Sequence, residues 1–317
     1  MRETRNILFE KAAAEWLETV QPELKQSSLV RYTNILQTHL LPEFEGVPIT
    51  EITRERAIRY RGWLLESGGK EKGGLSPKTV VIIFSVLRRI LSFSEAERGC
   101  EVADLSTVTV RQATKPLRVF SLAEQKKLNQ YLTVKPSLSN TGILLSLYTG
   151  LRIGEVCALK WEDISLEDWT IYIHRTMRRV QTFREHPRTS VIITEPKSPC
   201  SVRLIPIPEF LHDYFLKNQK EPDCFFLTGS ARKYTEPRSL ENKFRRILNS
   251  CDIQGATYHT LRHTFATRCI EQGFDIKTLS EILGHANVTI TMNRYVHPSM
   301  EFKRKSMEML SSLFASQ

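Results

Sequence analysis

The chain has 317 residues, with 45 Lys and Arg against 35 Asp and Glu, which gives a formal net charge of +10. A hydrophobic fraction of 41% and a charged fraction of 25% are those of a folded globular protein, so a largely disordered chain is excluded. No stretch approaches the roughly 20 apolar residues of a membrane span, and no secretory signal opens the chain, so we expect a cytoplasmic protein without a membrane partner.

The first hundred residues are predicted to form four amphipathic helices. The first covers FEKAAAEWLETV, and the second covers SLVRYTNILQTHLLPEF and ends near Pro42. The third begins at Thr53, and the fourth begins at Ser76 and Pro77, since proline is tolerated in a first helical turn. Residues 1–104 are therefore expected to form an all-α domain.

The positive charge is unevenly distributed. Residues 1–104 hold equal numbers of basic and acidic side chains, so the whole excess lies in residues 105–317, yet residues 54–94 form a basic stretch within the balanced part. Two separate basic regions suggest two surfaces that face one polyanion, most simply double-stranded DNA, and the charge alone is equally compatible with a soluble protein that happens to be basic. The candidate DNA-binding residues of the first domain are Arg54, Arg56, Arg59, Arg61, Lys70, Lys72, Lys78, Arg88 and Arg89.

A second domain follows a polar segment, residues 105–118, that is predicted to be a linker. This domain covers residues 119–298, and Ser121 with Glu124 predicts a capping box at its first helix. Alternating apolar residues predict three short antiparallel strands around residues 169–173, 191–193 and 202–207, with a long basic loop over residues 177–189. Helices resume at 208–219 and 238–250, so the fold class is mainly α with a small antiparallel β-sheet.

Two segments of the second domain combine arginine with potential partners on tight local structure. In TGLRIGE, one helix ends at Gly150 and another begins at once, which places Arg152 at a helix start with Glu155 on the same face. In YHTLRHTFATRC, His259 and Arg262 lie three residues apart on one helix face. Taken alone, the first segment favours an exposed arginine beside a helix-facing glutamate. A lone histidine is usually structural, but the second segment places two histidines and an arginine near the start of one helix.

The third segment, LGHANVTITMNRYVH, brings a tyrosine close to a histidine. Gly284 is typical of a helix end, His285 follows in a tight turn, and Asn287 can cap a new helix that carries Tyr295. Locally, Tyr295 is either a packing aromatic or a reactive group, and the stretch itself does not decide.

These motifs resemble those of the tyrosine recombinase (phage integrase) family and occur in the family's order: TGLRIGE, HxLRHTFAT, LGH and a tyrosine ten residues later. The resemblance covers the whole chain. The long hairpin region with EPKSPCSVRLIPIP resembles the branch carried by conjugative transposons. The resemblance implies a helical core-binding domain and a mixed α/β catalytic domain that clamp duplex DNA. It further implies a site-specific recombinase that integrates and excises a mobile element through a 3′-phosphotyrosyl intermediate.

The chemistry of the residues supports this resemblance independently. Charge that develops on the oxygens of an attacked phosphodiester can be held by bidentate hydrogen bonds from Arg152 and Arg262. A phenol has an ordinary pKa of about 10, so Tyr295 needs a positive site and a proton acceptor, for which His259 and His285 are the candidates. Since the sequence shows no carboxylate cluster for Mg²⁺ and no zinc-ligand cysteine set, no metal or cofactor is expected.

Further roles follow from the resemblance alone. Lys197 in EPKSP is expected to protonate the leaving 5′-oxygen, and Glu155 to orient Arg152 or a histidine. The tail, residues 299–317, carries a helical apolar stripe and is expected either to fold back on its own domain or to dock on a neighbouring protomer of a tetramer that holds two DNA duplexes. Many relatives carry an N-terminal arm-binding domain and use accessory DNA-bending or directionality factors; the chain starts almost directly at the core-binding helices.

Two alternatives stay open. A non-catalytic DNA-binding or architectural protein would keep the fold without the chemistry, although the complete set of arginine, histidine and tyrosine residues argues against it. An enzyme similar to type IB topoisomerases would share the chemistry but act as a monomer on a single duplex.

Overall fold

The structure is a computed structural model that describes residues 7–69, 73–111, 116–181, 189–196, 198–296 and 300–308. The chain divides into two compact units, residues 1–115 and 116–317, and each is described by itself. Within the described ranges, no helix is both long enough and apolar enough to cross a bilayer.

The first unit consists of helices. They are α1 (Phe9–Val20), α2 (Gln26–Ile35), α3 (Leu41–Phe44), α4 (Arg54–Glu66) and α5 (Pro77–Arg98). The side chains of Thr53 and Ser76 cap α4 and α5 by accepting backbone N–H groups, as predicted. The predicted helix end at Pro42 is wrong: after α2 the chain forms a π turn over Leu36–Leu40 and then α3, and Pro42 stands in the first turn of α3, where proline is tolerated.

The core of the first unit extends beyond its last helix. Leu105 and Val108 are buried among the apolar faces of the helices, and Arg88 donates to the carbonyl oxygens of both residues, at 3.1 and 2.8 Å. Residues 105–111, predicted to be part of a linker, therefore pack on the first unit.

The second unit is also mostly helical. Its helices are α6 (Leu122–Val134), α7 (Leu138–Thr149), α8 (Ile153–Ala158), α9 (His212–Asn218), α10 (Pro237–Ser250), α11 (Tyr258–Glu271), α12 (Ile276–Leu283), α13 (Val288–Tyr295) and α14 (Met300–Glu308). The predicted capping box of Ser121 and Glu124 is present at the start of α6. The mainly helical fold class predicted from the sequence is confirmed.

Two small antiparallel sheets lie between α8 and α9. Their strands are β1 (Ile164–Ser165), β2 (Thr170–Ile173), β3 (Thr176–Gln181), β4 (Thr189–Thr194) and β5 (Arg203–Pro206). The order β1-β2-β5 forms one sheet, in which Ile171 pairs with Ile205, and β3 pairs with β4 in a hairpin.

The three predicted strands correspond to β2, β4 and β5, but the loop predicted from residue 177 is wrong. Residues 177–181 belong to β3, which pairs with β4, and Met177 and Val180 are both buried. A Cβ atom on Gly154 of α8 would lie 2.6 Å from the backbone oxygen of Met177, so glycine lets β3 cross this helix closely.

Candidate active site

Arg152 is held at the junction of α7 and α8. Gly150 ends α7 in the left-handed conformation, with φ 69°, and a Cβ there would lie 2.7 Å from side-chain atoms of Leu283 and Phe265. The Arg152 side chain donates from Nη1 to Oε1 of Glu155 at 2.8 Å, and its backbone N–H donates to Oε2 at 2.9 Å. Two hydrogen bonds to one carboxylate therefore fix the guanidinium at the start of α8.

Glu155 is itself held by a second arginine. Its side chain is 3% exposed, and Arg203 of β5 donates from Nη2 to Oε2 at 2.9 Å and from Nη1 to Oε1 at 3.2 Å. Burial alone would raise the pKa of Glu155, but the charges of Arg203 and Arg152 lower that pKa to about 2. The carboxylate therefore stays ionised, and its hydrogen bonds hold Arg152 and Arg203 in place.

Arg262 of α11 joins three segments that are far apart in the sequence. Its side chain is 2% exposed. It donates from Nη1 to the carbonyl oxygen of Gly150 at 2.8 Å and from Nη2 to that of Leu283 at 2.7 Å. Burial, together with the charge of Arg152, lowers the pKa of Arg262 to about 9, which leaves the guanidinium charged at neutral pH. Arg262 thus contacts the turn that leads to Arg152.

His285 is locked in one tautomer by its neighbours. A guanidinium can only donate, so the 2.9 Å contact with Nη2 of Arg262 makes Nε2 of His285 the acceptor. The ring proton therefore lies on Nδ1, which is 2.8 Å from Oγ1 of Thr291. Burial and the charges of Arg262 and Arg152 lower the pKa of His285 to about 3, so the ring is neutral.

Tyr295 is the last residue of α13 and is 6% exposed. Its ring lies parallel to that of His285, with 6.4 Å between the ring centres, and its hydroxyl oxygen is 3.0 Å from Nδ1 of His263. Burial raises the pKa of Tyr295, while the charges of Arg262 and Arg294 act in the opposite direction. The phenol is therefore protonated at neutral pH.

The histidines of α11 lie next to each other. His259, one turn before His263, is exposed, and the two rings meet edge to face with 4.4 Å between their centres. Partial burial and nearby arginines lower the pKa of His259 to about 4. Within the described part of the chain, the hydroxyl of Tyr295 forms its histidine hydrogen bond with His263 and not with His259 or His285.

The structure thus brings together Arg152, Glu155, Arg262, His285 and Tyr295, with His259 at the rim. Lys197, Lys70 and Lys72 lie outside the described residues. The other candidate DNA-binding residues lie on α4 and α5.

Most basic residues of α4 and α5 already have partners. Arg54 and Arg61 donate to Thr107 and Thr109, Arg88 to two carbonyl groups, and Arg89 to the hydroxyl of Tyr32. Arg56 donates to the carbonyl oxygen of Glu43. In the described ranges, Arg59 and Lys78 are exposed and form no hydrogen bond through their side chains.

Two residues of the site, His263 and Arg203, were not predicted from the sequence. His263 stands one turn after His259 and so shares its helix face, a signal that was available. Arg203 alternates with Ile205 and Ile207, which are both buried, so strand periodicity places its side chain on the core side. A charged residue at an inward strand position indicates a buried partner.

Known protein families match both units. A model described as the phage integrase family matches residues 118–301, and one described as the phage integrase N-terminal SAM-like domain matches residues 8–63. The chain is 28% identical to a XerC-like tyrosine recombinase of Caldanaerobacter subterraneus subsp. tengcongensis, over 94% of the chain and 81% of that protein. It is 25% identical to the ICEBs1 integrase of Bacillus subtilis, over 93% of the chain and 80% of that protein.

Solved structures share the fold. The Tn1549 transposon integrase in complex with transposon right end DNA superposes with a TM-score of 0.76 at 22% identity, over 96% of this chain and 100% of that one. A lambda integrase dimer bound to a COC′ core site superposes with a TM-score of 0.67 at 16% identity, over 93% of this chain and 79% of that one.

Proposed function

The chain belongs to the phage integrase family and is a tyrosine recombinase, and we propose that it cleaves and rejoins DNA with Tyr295 as the nucleophile. It is a site-specific recombinase that serves the integration and excision of a mobile element. It is similar in sequence to the ICEBs1 integrase, and it shares its fold with the Tn1549 transposon integrase.

One observation supports the assignment of Tyr295 as the nucleophile. Arg262 is hydrogen-bonded to Gly150 at the end of α7, to Leu283 at the end of α12 and to His285, so three segments meet at one guanidinium. Tyr295 packs against the same histidine. A phosphodiester held by Arg152 and Arg262 therefore lies beside an oxygen nucleophile, with His285 next to its non-bridging oxygens. Positive groups placed where charge develops stabilise the transition state of phosphoryl transfer.

In the proposed reaction, Tyr295 attacks the scissile phosphate and forms a 3′-phosphotyrosyl bond. The 5′-oxygen leaves and takes a proton from Lys197, a role that rests on the resemblance to the family. A 5′-hydroxyl from a partner duplex then attacks the phosphotyrosine and gives its proton to Lys197, while the departing phenol oxygen of Tyr295 takes back the proton that it lost in the first step. Because each step exchanges one phosphodiester for another, no external energy source is needed.

We propose that both units contact one DNA duplex, in a cytoplasmic reaction. Four protomers on two duplexes would supply the partner strands, with the tail over residues 299–317 as the element that docks on a neighbour. The described part of that tail is α14, and its remaining residues lie outside the described ranges. Accessory DNA-bending or directionality factors would then select integration or excision.

The direct test uses Tyr295→Phe and a nicked suicide duplex that carries the joined ends of the element. The wild-type protein should form a covalent protein–DNA adduct, and Tyr295→Phe should bind the duplex equally well without forming it. Tyr234→Phe, which removes the hydroxyl of an exposed tyrosine, is the matched control and should react normally. An adduct formed by Tyr295→Phe would exclude Tyr295 as the nucleophile.

The alternatives give different products on the same substrates. A non-catalytic DNA-binding protein would form no adduct, and a type IB topoisomerase-like enzyme would relax a single supercoiled duplex without exchanging strands between two. Recombinant product from two duplexes, measured on a gel, supports the recombinase.

A further inference from the structure

The hydroxyl of Tyr295 is hydrogen-bonded to a third histidine, His263. Nδ1 of His263 lies 3.0 Å from the phenol oxygen, in a side chain that is 7% exposed. This distance is within the range that proton transfer between a nucleophile and its base requires. The contact joins α11 to the last residue of α13, so the fold itself presents the imidazole to the phenol.

The direction of this hydrogen bond follows from the neighbouring charges. Arg262 and Arg294 can only donate, so neither can accept the hydroxyl proton of Tyr295, and their positive charges oppose the rise in its pKa that burial causes. The hydroxyl proton of Tyr295 therefore points at Nδ1 of His263, which lies within hydrogen-bond distance. The imidazole then carries its ring proton on Nε2 and offers a lone pair to the tyrosine.

The other two histidines of the site are less suited to this task. Both ring nitrogens of His285 are engaged, one with Arg262 and the other with Thr291. His259 is exposed and touches the edge of His263 instead of the phenol. The structure therefore separates the functions of the histidines: His285 supports Arg262, and His263 contacts the reacting oxygen.

We infer that His263 is the general base that takes the hydroxyl proton of Tyr295 during attack on the phosphate, an inference that rests on the proposed role of Tyr295. The O–H bond of Tyr295 breaks, its proton moves to Nδ1 of His263, and the phenol oxygen bonds to phosphorus. The bond from phosphorus to the 5′-oxygen breaks, and that oxygen is protonated by a separate acid. On rejoining, His263 returns its proton to the phenol.

The surroundings of His263 restrict this reaction to the DNA-bound state. The groups that face it are His259, Arg262, Arg294 and Tyr295, and burial followed by the first three lowers its pKa to about 4. A phosphodiester beside Arg262 adds a negative charge, which favours the imidazolium and raises the pKa of His263. The base thus gains strength only when a substrate phosphate is present.

The inference is tested with His263→Asn and His263→Ala. Asparagine keeps a polar atom near the position of Nδ1 but cannot accept a proton at neutral pH, so it separates proton transfer from hydrogen bonding. The rate of adduct formation on the suicide duplex is measured in single turnovers between about pH 5.5 and 9. Loss of a general base costs about 10²- to 10⁴-fold, so both variants should fall by this factor. Their rates should rise with hydroxide concentration across the range, where the wild-type rate levels off.

A second substrate separates base from acid. A 5′-bridging sulfur in place of the leaving oxygen departs without protonation, so it should restore the rate of Lys197→Ala but not that of His263→Asn. Fluorescence anisotropy and thermal melting establish that the variants bind DNA and fold like the wild type. If either His263 variant is unfolded, the pH profile of the wild-type protein on the sulfur substrate tests the inference instead. No acid is required with this substrate, so a base role for His263 requires that the rate still level off at high pH.

Each outcome has one meaning. A wild-type rate in His263→Asn, or its restoration by the sulfur substrate, overturns the base role of His263. If instead the wild-type protein forms no adduct, or Tyr295→Phe forms one, the proposed function fails and not merely this inference.

Discussion

Glu155 and Arg203 form a buried ion pair beneath the candidate site, with the two side chains 3% and 6% exposed. Arg203 also donates from Nε to the carbonyl oxygen of Ile282, at 2.6 Å, near the end of α12. The pair therefore links the start of α8, which carries Arg152, to the segment that leads to His285. The pair thus supports two of the segments that form the candidate site.

Removing the carboxylate should unfold the second unit readily. Glu155→Ala leaves Arg203 buried without its counter-charge, which costs about 3–5 kcal/mol in comparable pairs. The free energy of unfolding in urea measures the loss. Asp213→Ala is the matched control, since its ion pair with Lys217 is exposed and such pairs contribute at most about 1 kcal/mol. Equal losses in the two variants would contradict a special role for the buried pair.

Replacing Arg262 by lysine should impair the reaction more than DNA binding. A lysine keeps the positive charge but cannot reach Gly150, Leu283 and the phosphate with one planar group. Loss of one transition-state donor lowers rates by about 10²- to 10³-fold, so the single-turnover rate of adduct formation should fall by this factor. Arg245→Lys, at an exposed position of α10, should react at the wild-type rate. An unchanged rate in the Arg262 variant would remove this residue from the phosphate pocket.

In the first unit, basic residues without partners and those with partners should behave differently. Arg59→Gln and Lys78→Gln should weaken DNA binding and lower the slope of log K against log salt by about 1 each, because one phosphate contact is lost. Arg88→Gln should instead lower the free energy of unfolding by about 1–3 kcal/mol, since two carbonyl groups lose a donor. Anisotropy titrations at several salt concentrations and urea unfolding separate the two effects. A salt slope unchanged by the Arg59 variant would contradict its contact with DNA.

As the pH is lowered, the second unit should lose stability at pH values well above those at which carboxylates become protonated. The pKa values of His259, His263 and His285 are lowered to about 4, 4 and 3, against an ordinary value of about 6.5 in an unfolded chain. Between these values the unfolded chain binds more protons, so stability is complete above pH 6.5 and is lost as the pH falls towards 4.

The melting temperature at pH 7.5 and pH 5 measures this effect. His285→Gln removes one of the three groups, so its melting temperature should fall less on acidification than that of the wild type. An equal fall in both proteins would show that His285 does not take up a proton on unfolding.

Much of the site could be predicted because its signals are local. A glycine that ends one helix just before Arg152 begins another, and an asparagine that caps α13, are set by short-range backbone preferences. Arg152 and Tyr295 stand at fixed spacings from these helix ends. Their positions therefore follow from the sequence once the helices are assigned.

The remainder depends on contacts between distant segments. Nothing near Arg203 in the sequence identifies Glu155 as its partner, and nothing near Tyr295 identifies His263. Similarly, β3 was missed because its buried residues, Met177 and Val180, are three residues apart and so do not show the two-residue period of a half-buried strand. Such features come from packing and strand pairing, which a single sequence does not display.

Arg262 lies where two helices end. Its guanidinium meets the carbonyl oxygens of Gly150, which caps α7, and of Leu283, the last residue of α12. A helix C-terminus carries a partial negative charge of about half an electron, and among the described residues no carboxylate pairs with Arg262. Two helix dipoles thus offset its charge without a competing anion. Holding an arginine side chain in one conformation costs about 2 kcal/mol of conformational entropy. In this protein that entropy is lost on folding, so a phosphate would bind to a donor that is already rigid.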